Sequence, residues 1–168
     1  MRYRLIITPR AEYVTPITPP TPPVPPEEEA ELPFYPRVDP TAQIGDHSGI
    51  PLADGIETPV KVEFMVPPGI STITKAVVAV ISAASGNLDW EVATDFGQLD
   101  GGENYNQNSD SDSDTTSVLA NKITSLDISA ALTGATSYDV VGLVFTRDGD
   151  DAADTIGDVV YYLGMYIE

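Results

Sequence analysis

Proline is confined to the first part of the chain. All fifteen prolines lie at or before Pro68, and eleven of them lie within residues 1–40, so the last hundred residues contain none. Proline donates no backbone hydrogen bond and fixes φ, and the apolar residues between these prolines are too sparse to bury much surface. We therefore expect residues 1–40 to form an extended, proline-rich N-terminal arm and residues 41–168 to form one folded domain.

The charged residues divide at the same point. Residues 1–40 contain four arginines and six acidic residues, whereas residues 41–168 contain four basic and twenty acidic residues, a net charge of −16. An electrostatic field of this sign repels phosphate backbones and anionic membrane surfaces. We therefore expect neither a nucleic-acid partner nor a membrane partner for the domain.

From Ile56 onward, apolar and polar residues alternate with the period of two that is typical of β-strands. In VKVEFMV, residues 60–66, the apolar side chains fall on one face and the charged ones on the other. ITKAVVAVISAA, residues 73–84, is more continuously apolar, and LDWEVATDF, residues 88–96, alternates again. The turn residues SGN at 85–87 lie between these two runs, so we expect a hairpin.

The rest of the chain adds more strands than helix. Residues 138–147 and 158–167 are the strongest strand candidates, and residues 117–123 are a weaker one. The polar, glycine-rich residues 97–114 predict a long exposed loop, and LDISAALTG, residues 126–134, predicts a short helical turn. At least six strands with little helix predict an all-β fold, an antiparallel two-sheet β-sandwich that is jelly-roll-like.

One acidic segment has part of a calcium-binding pattern. DSDSD places Asp110, Asp112 and Asp114 at the alternating spacing that opens an EF-hand loop. The sixth position of that loop is Thr115 rather than glycine, and the twelfth is Asn121 rather than glutamate. We therefore favour a solvated loop tip, and the three aspartates remain weak candidates for a metal site.

A second acidic segment, RDGDDAADT, begins at Arg147, which is the last residue of a predicted strand. An arginine at this position can pair bidentately with one carboxylate and hold the loop, while the Asp-Gly step supplies the turn. A structural role is favoured over ligand binding.

The sequence offers little support for catalysis. His47 is the only histidine, and its neighbours in GDHSG cannot form a triad because triad members must converge in space. It is expected to be an exposed turn residue. No spacing marks a carboxylate pair for glycoside hydrolysis, and the lack of cysteine excludes thiolate metal sites. We expect a non-enzymatic protein without a cofactor, with a polysaccharide hydrolase as the weakest alternative.

The aromatic residues raise the question of a sugar-stacking platform. Trp90 falls on the apolar face of its predicted strand, so core packing is favoured for it. Tyr105 lies in the polar loop and is the better candidate for a ligand contact.

A distinctive succession of segments fills roughly residues 60–168. It runs from FMVPPGISTITKAVVAVISAASGNLDWEVATDF, through a variable loop that contains GGE, to LVFTRDGDDAADTIGDVVYYLGMYIE. Its most specific part is Arg-Asp-Gly, then Asp-Thr, then Leu-Gly before Ile-Glu, which are here Arg147, Asp148, Gly149, Asp154, Thr155, Leu163, Gly164, Ile167 and Glu168. The succession resembles a small jelly-roll domain of tailed-phage and prophage structural proteins. The resemblance implies a virion component, either a capsid decoration protein or a fibre or spike subunit, that is a homo-oligomer, with a trimer favoured.

The arm supplies the expected partner contact. Tyr3–Thr8 is a β-prone run that is too short to form a sheet alone, so we expect it to add as a strand to the major capsid protein or another virion subunit. The residues predicted to bind this partner are Arg2, Tyr3, Arg4, Leu5, Ile6, Ile7 and Arg10.

The opening apolar run is too short for a signal peptide, so we expect synthesis in the host cytoplasm and a final location in the virion. The alternative function is a receptor- or carbohydrate-binding module of a tail fibre or spike, in which Tyr105 contacts the ligand.

Overall fold

Residues 42–168 are the part of the chain that the structure, a computed structural model, describes. The predicted arm and its partner-binding residues lie outside them. The described residues form ten strands and a 3₁₀ helix (Ser129–Leu132): β1 (Gln43–Ile44), β2 (His47–Ser48), β3 (Ile50–Leu52), β4 (Glu57–Met65), β5 (Ala76–Ser82), β6 (Gly86–Gln98), β7 (Asn108–Val118), β8 (Ile123–Asp127), β9 (Asp139–Asp148) and β10 (Val160–Ile167).

Eight of these strands form two four-stranded antiparallel sheets. Sheet 1 has the order β3-β10-β5-β8 and sheet 2 has the order β4-β9-β6-β7, while β1 and β2 form a separate small hairpin. The pairs β3 with β10, β4 with β9, β5 with β8 and β6 with β7 are nested within one another along the sequence. This nesting is the topology of a jelly roll. The expected all-β, two-sheet sandwich is therefore confirmed.

The core lies between the two sheets and follows the predicted alternation. On β4, Val60 is buried and the neighbouring Lys61 is exposed, and on β6 the buried Trp90 is followed by the exposed Glu91. The Trp90 ring stacks on Phe145 with 6.0 Å between the ring centroids, and Trp90 is only 3% exposed. Its Nε1 donates to Thr116 Oγ1 at 3.0 Å, which satisfies the one polar atom of the indole. Trp90 is thus confirmed as a core residue.

The predicted hairpin between residues 73–84 and 88–96 is wrong. β5 pairs with β8 and β10 in sheet 1, whereas β6 pairs with β7 and β9 in sheet 2. The chain between them crosses from one sheet to the other. Turn residues indicate that a strand ends, but they do not decide whether the next strand returns beside it, because that choice depends on pairing with distant strands.

The long loop predicted at 97–114 is also wrong over half of its length. β6 continues to Gln98 and β7 begins at Asn108, so only residues 99–107 connect them. The strand predicted at 117–123 is in fact the end of β7, a turn and the first residue of β8. β7 is polar because it lies at the edge of sheet 2, where pairing with β6 holds it in spite of the low strand propensity of aspartate.

The 3₁₀ helix confirms the helical turn predicted at residues 126–134. It lies against both sheets, since the Ser129 hydroxyl accepts a hydrogen bond from the N–H of Ala76 on β5 at 2.9 Å and the carbonyl of Ala131 accepts one from the hydroxyl of Thr94 on β6. Ala131 and Leu132 are buried in the core. The helix therefore joins the two sheets where β5, β6 and β7 come together.

Candidate functional site

Arg147, at the end of β9, is the centre of a buried polar cluster. Its side chain is fully buried, and it pairs bidentately with Asp154, with Nε 2.9 Å from Oδ2 and Nη2 2.8 Å from Oδ1. Nη1 donates to the carbonyls of Leu52 at 3.1 Å and Asp158 at 2.8 Å, and Nη2 also donates to the carbonyl of Ile156. All five N–H groups of the guanidinium are thereby used. The predicted structural role of Arg147 is confirmed.

The loop that Arg147 holds, residues 149–158, is also fixed to the start of β6. Asp154 accepts the backbone N–H of Asp89 at 3.3 Å. The Thr155 hydroxyl accepts a hydrogen bond from the backbone N–H of Asn87, and the backbone N–H of Thr155 donates one to the Asn87 carbonyl, each at 2.8 Å. The loop is therefore held by hydrogen bonds to both β9 and β6.

Three carboxylates, one from this loop and one each from β6 and β9, lie together on the surface beside the buried cluster. Asp89, Asp148 and Asp151, here called the acidic trio, have carboxylate oxygens within 4.8 Å of one another. A hydrogen bond with Asp150, partial desolvation, and the negative charges of Asp150, Asp151 and Asp89 raise the pKa of Asp148 to about 6. Asp148 therefore keeps its proton up to about pH 6, and the oxygens of the trio are of the type that hard cations bind.

Asp110, Asp112 and Asp114 lie on a strand and not in the predicted loop. They occupy alternate positions of β7, about 6.6 Å apart along the strand. Each carboxylate accepts the backbone N–H of the next residue, with N–O distances of 2.9, 2.9 and 2.8 Å to Ser111, Ser113 and Thr115. β7 pairs only with β6 among the described strands. Because these N–H groups already have acceptors, they are not available to an added strand.

Tyr105 lies in the connection between β6 and β7 and is 80% exposed. At the same end of the sandwich, Leu99 and Tyr138 are 50% and 48% exposed, and the N–H of Leu99 donates to the Tyr138 carbonyl at 2.9 Å. We call Leu99, Tyr105 and Tyr138 the tip patch. Tyr138 has a φ of +71°, which is rare for a bulky residue and costs on the order of 1–2 kcal/mol. The tip patch presents apolar and aromatic side chains to solvent.

His47 is exposed, as expected. It belongs to β2, which pairs with β1, and not to the turn itself.

The outer faces of the two sheets differ in charge. Sheet 2 presents Lys61 and Glu63 from β4 and Glu91 and Asp95 from β6, all exposed. In the strands of sheet 1 the only charged residue is Asp127. One outer face of the sandwich is therefore acidic and the other is almost uncharged.

A comparison of the chain with protein-family models, with curated proteins and with solved structures finds no match in any of the three. Within residues 42–168, no helix has the length and hydropathy needed to cross a membrane. Function is therefore inferred from the chemistry of the surfaces described above.

Two features of these surfaces were missed in the sequence. Asp89 joins the acidic trio from β6, because the end of β9 and the start of β6 are neighbours in sheet 2. Leu99 and Tyr138 lie side by side only because the chain passes through the same end of the sandwich at both positions. Neither proximity has a signal in local sequence spacing.

Proposed function

We propose that this chain is a non-enzymatic structural protein of a virion, namely a capsid decoration protein that displays the sandwich on the particle surface. The observation that carries the proposal is the acidic outer face of sheet 2, with exposed carboxylates at Glu63, Glu91 and Asp95. Domains displayed at high local concentration must not associate with one another through their outward faces. A face with a net negative charge opposes this through repulsion between neighbouring copies.

The polar edge of sheet 2 supports the same role. β7 presents its backbone N–H groups at Ser111, Ser113 and Thr115 to aspartate side chains of its own strand. A sheet edge treated in this way resists edge-to-edge pairing with another copy. Display without aggregation is what a decoration protein requires.

The arm is the proposed anchor, and the partner is the major capsid protein or another virion subunit. Residues Arg2, Tyr3, Arg4, Leu5, Ile6, Ile7 and Arg10 make the contact, with Tyr3–Thr8 added as a strand. Backbone hydrogen bonds contribute about 1 kcal/mol each, so one six-residue strand is a modest anchor. In a homo-oligomer, with a trimer favoured, several arms bind at once, and multivalency then makes the attachment effective.

The test is a binding measurement with particles that lack this protein. A variant without residues 1–12 is expected to stay folded and to lose attachment to the particles. The matched control lacks residues 16–26, which shortens the spacer but leaves residues 1–12 in place, and it is expected to retain at least part of the binding. If the variant without residues 1–12 binds as the full chain does, the proposed anchor is wrong.

The tip patch favours a second candidate, a carbohydrate- or receptor-binding module of a tail fibre or spike. Tyr105 is 80% exposed and Tyr138 lies at the same end of the domain, and aromatic faces of this kind stack on sugar rings. A glycan array tests it. Saturable binding that Tyr105→Ala abolishes, and that Leu119→Ala at another exposed apolar position leaves intact, supports this candidate. No binding across a broad array rejects it.

A further inference from the structure

The two edges of sheet 2 differ in how their backbone is protected. The sheet has the order β4-β9-β6-β7, so β4 and β7 are its edge strands among the described residues. On β7, the carboxylates of Asp110, Asp112 and Asp114 accept the N–H groups that point away from the sheet. No hydrogen bond among residues 42–168 uses the N–H groups that β4 directs away from the sheet. Within the described domain, β4 is therefore the open edge of sheet 2.

The pairing of β4 with β9 fixes which backbone groups face outward. The N–H of Val66, directly after the strand, donates to the carbonyl of Asp139 at 2.9 Å. Because the backbone groups of successive residues point to opposite sides of a strand, the odd-numbered residues of β4 direct theirs away from β9. Pro59 is one of them, so its missing N–H costs no bond within the sheet. The open edge offers backbone donors and acceptors over residues 59–65.

The exposed side chains of this edge carry both signs of charge. Lys61 and Glu63 lie on the outer face of sheet 2, opposite Val144 and Gly142 of β9. The ion pairs of the described residues both belong to Arg147, so neither side chain has a charged partner there. Lys61 is also one of only four basic residues in the domain. A strand that pairs with β4 would have to satisfy both charges.

We propose that β4 pairs antiparallel with β4 of a second copy of this chain, about a twofold axis at Val62. In this register Lys61 of each copy lies opposite Glu63 of the other, so two pairs of opposite charge form across the junction. The residues of each pair exchange backbone hydrogen bonds, and the N–H of Met65 donates to the Pro59 carbonyl of the other copy. The junction has about six backbone hydrogen bonds in all.

The charges select this register over its neighbours. Sliding one copy by one pleat repeat, the smallest shift that keeps the outward backbone groups opposed, puts Lys61 opposite Lys61 or Glu63 opposite Glu63. Like charges directly opposite each other are unfavourable. A longer slide brings Lys61 opposite Glu57, but it puts Pro59 opposite Pro59, where neither residue has an N–H to donate. The register centred on Val62 is therefore the favoured one.

The half-buried apolar residues of β4 support the pairing. Val62 and Phe64 point to the core side of the strand and are only partly buried, whereas Val60 on the same side is 3% exposed. In the proposed register Val62 faces Val62, and Phe64 faces Val60 of the other copy. The second copy therefore covers apolar side chains that the described domain leaves partly exposed.

The proposed pair is closed. A twofold interface uses the same surface on both copies, so no third copy adds to it. Both outer edges of the joined sheet are then β7, whose outward N–H groups at Ser111, Ser113 and Thr115 already have acceptors. Lysine and proline on an edge strand normally discourage pairing. On β4 they exclude strands that place no carboxylate opposite Lys61.

The inference does not rest on a location in a virion or on the N-terminal arm. It concerns the domain alone and specifies two copies, whereas the oligomer favoured in the proposed function is a trimer. Molecular mass and particle attachment therefore test the inference and the proposed function separately.

Light scattering after size-exclusion chromatography gives the copy number of the full chain. We expect the mass of two copies at about 100 µM protein, because a dissociation constant in the micromolar range holds two copies together there. The mass of one copy or of three copies would overturn the inference. If the chain has the mass of one copy but its attachment to particles depends on residues 1–12, this inference alone is rejected. If it has the mass of two copies but attaches without residues 1–12, the proposed anchor alone is rejected.

Charge reversal tests the register. Lys61→Glu places a glutamate opposite Glu63, and Glu63→Lys places a lysine opposite Lys61, so each variant is expected to associate at least about tenfold more weakly. The double variant Lys61→Glu with Glu63→Lys keeps the net charge and is expected to associate as the wild type does. Lys122→Glu and Glu91→Lys, at exposed positions away from β4, are the matched controls. If each single variant associates as well as its control, the register is wrong.

Mixing the two single variants is the sharpest form of this test. Lys61→Glu has acidic side chains at both positions, and Glu63→Lys has basic ones, so the charges across a mixed junction are opposite again. The two variants are expected to associate with each other more tightly than either does with itself. A mixture that associates no better than its components would overturn the inference.

A disulfide locates the twofold axis. The chain has no cysteine, and in the proposed pair the two copies of Val62 face each other with Cα atoms about 4.5 Å apart, within reach of a disulfide. Val62→Cys is expected to form a covalent pair on mild oxidation. Thr58→Cys, on the same strand and side, is the matched control, because its two copies would lie about 26 Å apart. Equal cross-linking of the two variants would contradict the pairing.

Fluorescence of Trp90, the only tryptophan, reports whether each variant is folded. If Val62→Cys is unfolded, a mixture of Lys61→Cys and Glu63→Cys replaces it, since both positions are exposed and lie opposite each other in the proposed pair. That mixture is expected to form the mixed disulfide in preference to either variant with itself. Equal amounts of the three possible disulfides would reject the register.

Discussion

Arg147 and Asp154 form an ion pair in which neither side chain is exposed, with Nε 2.9 Å from Oδ2 and Nη2 2.8 Å from Oδ1. The pair closes the loop between β9 and β10, and Nη1 of the same guanidinium donates to the carbonyl of Leu52 on β3. It therefore connects the end of sheet 2 to the edge strand of sheet 1. The pair anchors the surface on which the acidic trio lies.

Removing one partner of this pair is expected to destabilise the domain strongly. Arg147→Met leaves the Asp154 carboxylate buried without its cation, and breaking a buried pair in this way costs about 3–5 kcal/mol of unfolding free energy. Urea unfolding followed by Trp90 fluorescence measures the change. The double variant Arg147→Met with Asp154→Leu is expected to recover part of the loss, because no charge is left unpaired. Lys61→Met, at an exposed lysine, is the control, and a similar loss there would contradict the explanation.

The acidic trio is expected to make stability depend on pH. The pKa of Asp148 is raised from 3.8 to about 6, so the folded state binds a proton at pH values where the unfolded state has released it. The stability that this group contributes is present below about pH 4 and is lost as the pH rises through about 6. Asp148→Asn is therefore expected to differ little from the wild type at pH 3.5 and to be more stable than it at pH 7.5.

Thermal unfolding at the two pH values measures this difference. Asp95→Asn, on the outer face of sheet 2, removes the same charge away from the trio and is expected to show a smaller change between pH 3.5 and pH 7.5. Equal pH dependence in the two variants would assign the effect to the overall negative charge and not to the trio.

The aspartates of β7 are expected to keep the edge of sheet 2 from pairing. Replacing Asp110, Asp112 and Asp114 with threonine leaves the N–H groups of the following residues without their side-chain acceptors and raises the strand propensity. We expect concentration-dependent association beyond the wild-type state, measured by size-exclusion chromatography with light scattering. A control with Glu63→Gln, Glu91→Gln and Asp95→Asn removes the same number of charges from the outer face. If both triple variants associate equally, charge and not edge protection is responsible.

Gly97 is expected to tolerate no side chain. A Cβ at this position on β6 would clash with the carbonyl oxygen of Asn104, so Gly97→Ala must displace the connection that carries Tyr105. We expect a loss of about 1–3 kcal/mol in unfolding free energy. Gly142→Ala on the neighbouring β9 is the matched control, because its Cβ would lie 3.8 Å from the nearest carbonyl, that of Asp95. If Gly97→Ala is as stable as Gly142→Ala, the close approach of the Asn104 carbonyl to Gly97 is wrong.

The sequence by itself determined the elements whose information is local. The alternation around Val60 and Trp90 identified strands and their core faces, since side chains alternate between the two faces of any strand. Arg147 is followed by four aspartates within seven residues, so its pairing with one carboxylate also had a local signal, whereas the structure identifies that carboxylate as Asp154. The jelly-roll-like sandwich followed from the number of such strands and the lack of helix.

Only the tertiary structure decided which strands are neighbours. The sequence of β7 shows no alternation of apolar and polar residues, because both faces of this strand are polar. Only its pairing with β6 identifies it as a strand. The same long-range pairing separated β5 from β6 into different sheets and brought Asp89 to Asp148. Local sequence encodes which face of a segment is apolar, but register and strand order depend on contacts between residues far apart in the chain. Strand neighbours and surface clusters are therefore decided by the whole fold.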